Sequence, residues 1–289
     1  MYTTRHLRRL TSSRRLLLVL VAIVSWAPVG ARESRAQLPL EPIRDSGQGI
    51  TGAFEGWYPN PDGSFTLLVG YFNRNEKAAI DIPVGPNNRI EPGGPDMGQP
   101  THFLPKRQWG VFTVTVPKDF GDQKLTWTLV VNGEASSIPL SLNKKWAVQP
   151  FKDPSVGNTP PLVRLEPSGT PLQGPPRGIA SSLTTPRSNP VTLTLWATDD
   201  QIQDPVSRPK PGDPPLTVFW SQARGPANVT FEKARPDVDK ADGKATTTAT
   251  FSAPGEYVLR GQVNDFSGEG GGGNQCCWTT VLVKVTVAP

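Results

Sequence analysis

The sequence predicts an all-β protein, built as two β-sandwiches that follow a removable leader. Three observations carry this. Beyond residue 49, apolar residues recur at every second position in short runs; proline and glycine stand between the runs; and no stretch of ten residues outside the leader combines helical spacing with freedom from both. The 32 prolines and 28 glycines exceed a fifth of the chain, a share near that of disordered segments. Here they punctuate apolar alternation instead of forming one polar tract, which is the pattern of strands and turns.

Residues 1–36 read as a secretory signal peptide. Arg5, Arg8, Arg9, Arg14 and Arg15 form a positive start, residues 16–27 are almost wholly apolar, and Ser34 and Ala36 are small residues suited to cleavage before Gln37. A second cleavage position follows Ala31. Ser13-Arg14-Arg15 resembles a twin-arginine motif, but the apolar stretch favours the ordinary secretory route. About a dozen apolar residues fall short of the ~20 that span a bilayer, so no membrane anchor is expected after cleavage. The leader holds seven arginines against Glu33, so the net charge of +5 becomes −1 for the rest. A near-neutral mature chain has no electrostatic footprint for nucleic acid. The expected location is the periplasm, the cell surface or the extracellular space.

After a polar lead-in at 37–49, residues 50–151 form the first predicted sandwich. Phe65, Leu67, Val69 and Tyr71 alternate with Thr66, Leu68 and Gly70, and Phe112, Val114 and Val116 with Thr113 and Thr115. Leu125, Trp127, Leu129 and Val131 lead into Asn132-Gly133, a strong hairpin signal, and Ile138, Leu140 and Leu142 continue beyond it. Successive side chains on a strand point to opposite faces, so each run offers one apolar face to a core.

Residues 152–189, dense in Pro, Gly and Ser, hold the domain junction, and Leu162-Val163-Arg164-Leu165 within it is a candidate first strand of the next domain. Residues 190–289 repeat the β pattern. Val191, Leu193, Leu195 and Ala197 form one stripe; Leu216, Val218 and Trp220 form another. Tyr257, Leu259 and Val263 follow, and Val281, Val283, Val285 and Val287 close the chain.

Two runs carry a family resemblance. One is Leu216-Thr217-Val218-Phe219-Trp220-Ser221-Gln222 with Gly225-Pro226 and Val229-Thr230-Phe231. The other is Ala249-Thr250-Phe251-Ser252-Ala253-Pro254-Gly255-Glu256-Tyr257-Val258-Leu259, ending in Asn264-Asp265. Together they resemble polycystic-kidney-disease-type (PKD) and REJ-like repeats over roughly residues 158–289. The resemblance implies an immunoglobulin-like sandwich of about seven strands and a role as a spacer or interaction domain. It also implies that Trp220 is a core tryptophan, that Tyr257 is a corner tyrosine, and that Leu195 and Leu259 stand where antibody domains carry inter-sheet cysteines. The insert at 202–215 and the glycine run at 270–273 depart from the pattern. The N-terminal half, around residues 98–116, resembles uncharacterised exported bacterial proteins, which implies no function.

Several residues are candidates for chemistry. Asp199, Asp200 and Asp204 follow one strand of the PKD-like half, and Asn264, Asp265 and Glu269 follow another. In an immunoglobulin-like topology those loops share a pole, so their oxygens either hold calcium, which takes six to eight ligands, or simply close turns. Some PKD-type repeats bind calcium. No other cofactor is expected. Cys276 and Cys277 are adjacent, either as a vicinal disulfide or as one buried and one exposed thiol; neither the spacing nor nearby histidines fit zinc.

His102 is the sole histidine after the leader, so triad chemistry would have to use it. Trp57, Tyr58 and Trp109 are either packing residues or rings for stacking on sugars. Asn228-Val229-Thr230 matches a glycosylation acceptor in a eukaryotic secretory host. The expected function is non-catalytic: a structural, adhesive or partner-binding module whose partner is a protein or a polysaccharide at the envelope. Carbohydrate binding as the main role, and an enzyme of unrecognised type, are the alternatives.

Overall fold

In the computed structural model, residues 44–202, 214–265, 267 and 276–289 are described. The leader, most of the lead-in, Asp204, Glu269 and the glycine run lie outside them.

The chain enters β1 (Ile50–Pro59) and β2 (Phe65–Asn73), then a short ribbon strand β3 (Ile80–Asp81) and β4 (Asn88–Glu91). It continues through β5 (His102–Phe103), β6 (Lys106–Val116), β7 (Lys124–Val131) and β8 (Glu134–Ser141). One sheet has the order β1-β2-β6, the facing sheet β4-β7-β8, and β3 pairs with β5 beside them. Leu67, Val69, Tyr71, Phe112 and Val114 from one sheet meet Ile90, Leu125, Trp127, Leu129 and Leu140 from the other in a single core. These are the alternating positions of the sequence, and alternation is what lets each sheet bury one face. The hairpin between β7 and β8 turns at Asn132 and Gly133, both at positive φ, as a two-residue connection requires.

Trp127 is 1 % exposed, and its Nε1 donates to Oδ1 of Asn88, a fully buried amide. The Nδ2 of Asn88 donates in turn to the carbonyls of Ile82 and Pro100. Asn73 does the same for Ala78 and Phe103. Two buried amides thus tie down the long loops around the ribbon, supplying partners that those loop carbonyls would otherwise lack.

The second core gathers β9 (Leu162–Arg164), β10 (Ile179–Pro186), β11 (Val191–Thr198), β12 (Leu216–Arg224), β13 (Val229–Phe231), β14 (Lys244–Phe251), β15 (Gly255–Asp265) and β16 (Trp278–Ala288). The sheets run β10-β16-β15-β12 and β13-β14-β11-β9. Lettered in chain order, with β9 and β10 as a split first strand, these are the A′GFC and DEBA sheets of an immunoglobulin-like sandwich. With the short β3 left unlettered and β5 as D, the first sandwich reads as ABE facing CFG.

Trp220 is 1 % exposed on the third strand, and Leu195 and Leu259 are fully buried at the positions of the absent inter-sheet cysteines. Tyr257 is fully buried, and its hydroxyl donates to the carbonyl of Ala253 at 2.7 Å, the corner bond of such folds. β10, within the Pro/Gly-rich junction, carries no apolar alternation in sequence because it is an edge strand with mostly exposed side chains. Both sandwiches fall in one compact unit, Ile43–Pro289.

Candidate functional site

Two clusters of buried polar groups stand out, one at a pole of the second sandwich and one between the sandwiches. At the pole, Asp199 and Asp200 follow the end of β11, β15 ends at Asp265, and Asn158 lies on the connection into β9. Asn158, 2 % exposed, donates from Nδ2 to Oδ2 of Asp265 at 2.7 Å. Asp200 Oδ2 accepts from both the amide and the hydroxyl of Thr159. Asp265 Oδ1 accepts from the amide and hydroxyl of Ser267. Asn264, also buried, accepts from Gln262 through Oδ1.

Burial raises the pKa of Asp199 to about 6, helped by the negative charges of Asp265 and Asp200. Asp265 is raised as well, by burial first. Among the described residues, Asn158 Oδ1 and Asp199 Oδ1 are buried with no hydrogen-bond partner. Asp199, Asp200 and Asp265 therefore gather at one pole, joined by Asn158, which the sequence pattern did not single out, whereas Asn264, the strand neighbour of Asp265, turns to the other face of β15 and bonds Gln262. Among the described residues, no three of His, Cys, Asp and Glu are grouped so as to hold a metal ion. Cys276 and Cys277 are joined by a disulfide, are 4 % and 1 % exposed, and both face the carbonyl of Asn158.

The second cluster is built by β-bulges. A bulge inserts an extra residue that is left out of the ladder and re-aims its groups. In β1 the register slips at Glu55, between Phe54 and Gly56. In β6 it slips across Trp109–Gly110–Val111, opposite Gly70. In β12 it slips at Ala223.

The bulges of β6 and β12 reach across the junction of the sandwiches, and that of β1 backs them from within the first. Glu55 accepts from Arg107 Nη2 and from the amide of Gly110, both at 2.8 Å. Trp109 offers its carbonyl to Arg260 Nη2 of β15 at 2.7 Å. Ala223 accepts from the amide of Thr101, and Arg224 forks onto both oxygens of Asp96 while its Nε donates to the carbonyl of Gln99.

Gly70 makes the arrangement feasible: a side chain there would collide with Glu55 Oε1 and the carbonyl of Gln108. Burial pushes the Glu55 pKa up, and Arg107, the Gly110 amide and Arg260 pull it back down. None of these residues follows a sequence motif, because what unites them is a bulge, and a bulge has no period.

The aromatic candidates are spread out. Trp57 packs edge-on to Phe65 and donates from Nε1 to the carbonyl of Asn143. Tyr58, 3 % exposed, packs edge-on to Phe151. The Arg107 guanidinium lies 3.8 Å over the ring of Trp109. His102 sits in β5, inside the long loop, with Nδ1 2.7 Å from Oδ1 of Asp81. A groove of about 760 Å³ runs along the junction, walled by Val84, Met97, Phe112, Ile179 and Leu282. The charges beside it are already paired: Asp81 with His102, Arg224 with Asp96, and Glu256 with Lys284.

No family model and no curated protein matches the chain. Among solved structures, the D0-D1 domain of Intimin is 11 % identical, with 83 % of this chain and 97 % of that chain covered and a TM-score of 0.24. The D00-D0 domain of Intimin is 12 % identical over 83 % of this chain and 100 % of that one, with a TM-score of 0.25. Domains 4 and 5 of the S-layer protein SbsC are 12 % identical over 83 % and 98 %, with a TM-score of 0.23. Strand order and the tyrosine corner, both internal to the chain, make this an all-β protein of two immunoglobulin-like sandwiches.

Proposed function

We propose that the protein is exported and works by contact, as a structural, adhesive or partner-binding component of the cell envelope or extracellular space. The observation that carries this reading is the polar joint. Two bulges, which in many enzymes re-aim side chains into an active site, here carry bonds from one sandwich to the other, and a third, in β1, holds Glu55 against Arg107 and Gly110 beside them. A fastened pair of sandwiches holds its outer surfaces in fixed register, which suits a scaffold that presents surfaces to a protein or polysaccharide.

The leader of residues 1–36 supports export. Among the described residues no helix is long and apolar enough to cross a membrane. The reading is tested by capture on the immobilised mature chain from an envelope fraction. Retention of one defined surface component, unchanged in His102→Ala, is expected. Turnover of a peptide, ester or glycan substrate that disappears in His102→Ala would overturn it.

A cation at the acidic pole is a second reading, favoured by Asn158 Oδ1 and Asp199 Oδ1, which have no partner among the described residues. Calcium takes side-chain amide oxygens as well as carboxylates, and Asp199, Asp265 and Asn158 would supply both kinds.

A further inference from the structure

Edge strands expose a row of unpaired backbone groups, and proteins normally guard them with charge, proline or a cover. β10 is the outer strand of its sheet and pairs only with β16, in parallel. The amide of Arg187 points at β16, donating to the carbonyl of Ala288. Backbone direction alternates along a strand, so Thr185, Leu183 and Ser181 face β16, whereas Thr184 and Ser182 turn their N–H and C=O groups outward.

Among the described residues nothing accepts from or donates to those outward groups. The side chains agree: Ala180, Ser182 and Thr184 are exposed, while Leu183 and Thr185 turn inward. Over Ile179–Pro186 the strand has no charged residue, and its single proline stands at the last position. The register slips once, between Ile179 and Ser181, so the edge is regular and unguarded from Ser181 onward.

Charge says what would cover it. Exposed Arg177 precedes the strand and exposed Arg187 follows it, separated by about 30 Å of extended chain. Arg177 lies over the ring of Phe151, and Arg187 is close enough to Tyr257 to act on its hydroxyl. Neither has a carboxylate partner among the described residues. Self-pairing is disfavoured, because two antiparallel copies of β10 centred on Ser182 would set Arg177 of each against Arg187 of the other.

We propose that β10 is a docking edge for an extended segment of a partner protein, added as a further strand and carrying a carboxylate near each end. In such strand addition, backbone bonds supply affinity and flanking groups supply register. The inference rests on the contact function proposed above and names its partner class.

The probe is a capped peptide alternating Thr and Val, with Asp at each end, compared with the same peptide ended by Lys. The Asp form is expected to bind roughly tenfold tighter, with the gap closing at high salt as screening shortens the reach of charge. Thr184→Pro removes one outward N–H and no ladder bond to β16, so it should abolish peptide binding while circular dichroism and the melting temperature stay native. The double variant Arg177→Glu/Arg187→Glu changes two exposed side chains and should reverse the preference to Lys in a chain whose circular dichroism stays native.

Equal affinity for both peptides, binding unchanged in folded Thr184→Pro, or failure of the double variant to reverse the preference would each overturn the inference. So would a wild-type dimer in sedimentation that Thr184→Pro dissociates. Envelope capture that persists in Thr184→Pro would overturn this inference and leave the contact function standing.

Discussion

Arg260 Nη2 donates to the carbonyl oxygen of Trp109, 2.7 Å away and 151 residues earlier in the chain. That carbonyl is free to accept because β6 bulges there, and the adjacent Gly110 amide, freed by the same bulge, binds Glu55. Arg260 is only 2 % exposed, and the side chain of Glu55 only 1 %. One local irregularity therefore serves both halves of a buried ionic joint.

Removing one member of a buried charge cluster strands the others, at about 3–5 kcal/mol. Glu55→Ala is expected to lower stability to denaturant by that amount. Arg260→Ala is expected to split the calorimetric melt into two transitions as the sandwiches uncouple. A single unshifted transition in both variants would show that the joint is idle.

The acidic pole has a pH signature. The pKa of Asp199 in the folded chain is about 6, above the ordinary aspartate value. The stability it contributes is therefore fully present below about pH 4 and is lost as pH rises through 6. Asp199→Asn should raise stability by about 1 kcal/mol at pH 7.5, a figure reduced for solvent screening, with no gain at pH 4. Chemical denaturation at the two pH values measures the difference.

If a cation occupies the pole, millimolar Ca²⁺ should raise the melting temperature relative to chelator, since a ligand of the native state stabilises by mass action. Asp199→Asn and Asn158→Ala should each flatten that response. An identical melt with calcium and with chelator would remove the cation reading.

Tyr257 anchors its corner by one hydroxyl bond to the carbonyl of Ala253. Tyr257→Phe keeps the buried ring and deletes that bond, so a loss of about 1 kcal/mol is expected in urea unfolding.

Trp57 and Trp109 decide the polysaccharide alternative. A sugar-stacking role requires that retention on insoluble glycans fall when either becomes Ala. Retention unchanged in both variants, or absent in the wild type, would dismiss stacking.

The stripes of Leu67, Val69 and Tyr71, of Leu125, Trp127 and Leu129, and of Val281 to Val287 were readable because each strand must present one apolar face. The Asn132-Gly133 turn was readable because it needs positive φ. Trp220 was readable as a core residue because it shares a stripe with Leu216 and Val218, while the corner role of Tyr257 came from the resemblance to PKD-type repeats. β10 escaped notice because an edge strand buries so little that its composition looks like a loop. Asn158, Glu55, Arg107 and Arg260 escaped because their partners lie tens of residues away or more.

From residue order alone came the β class, the two cores and the chain positions that fill them, since side-chain alternation is a property of one strand at a time. Tertiary structure alone decided which strands bulge, which edge stays open, and which charges meet between the sandwiches. Those outcomes depend on register between distant segments, and register is set only when two faces close on each other.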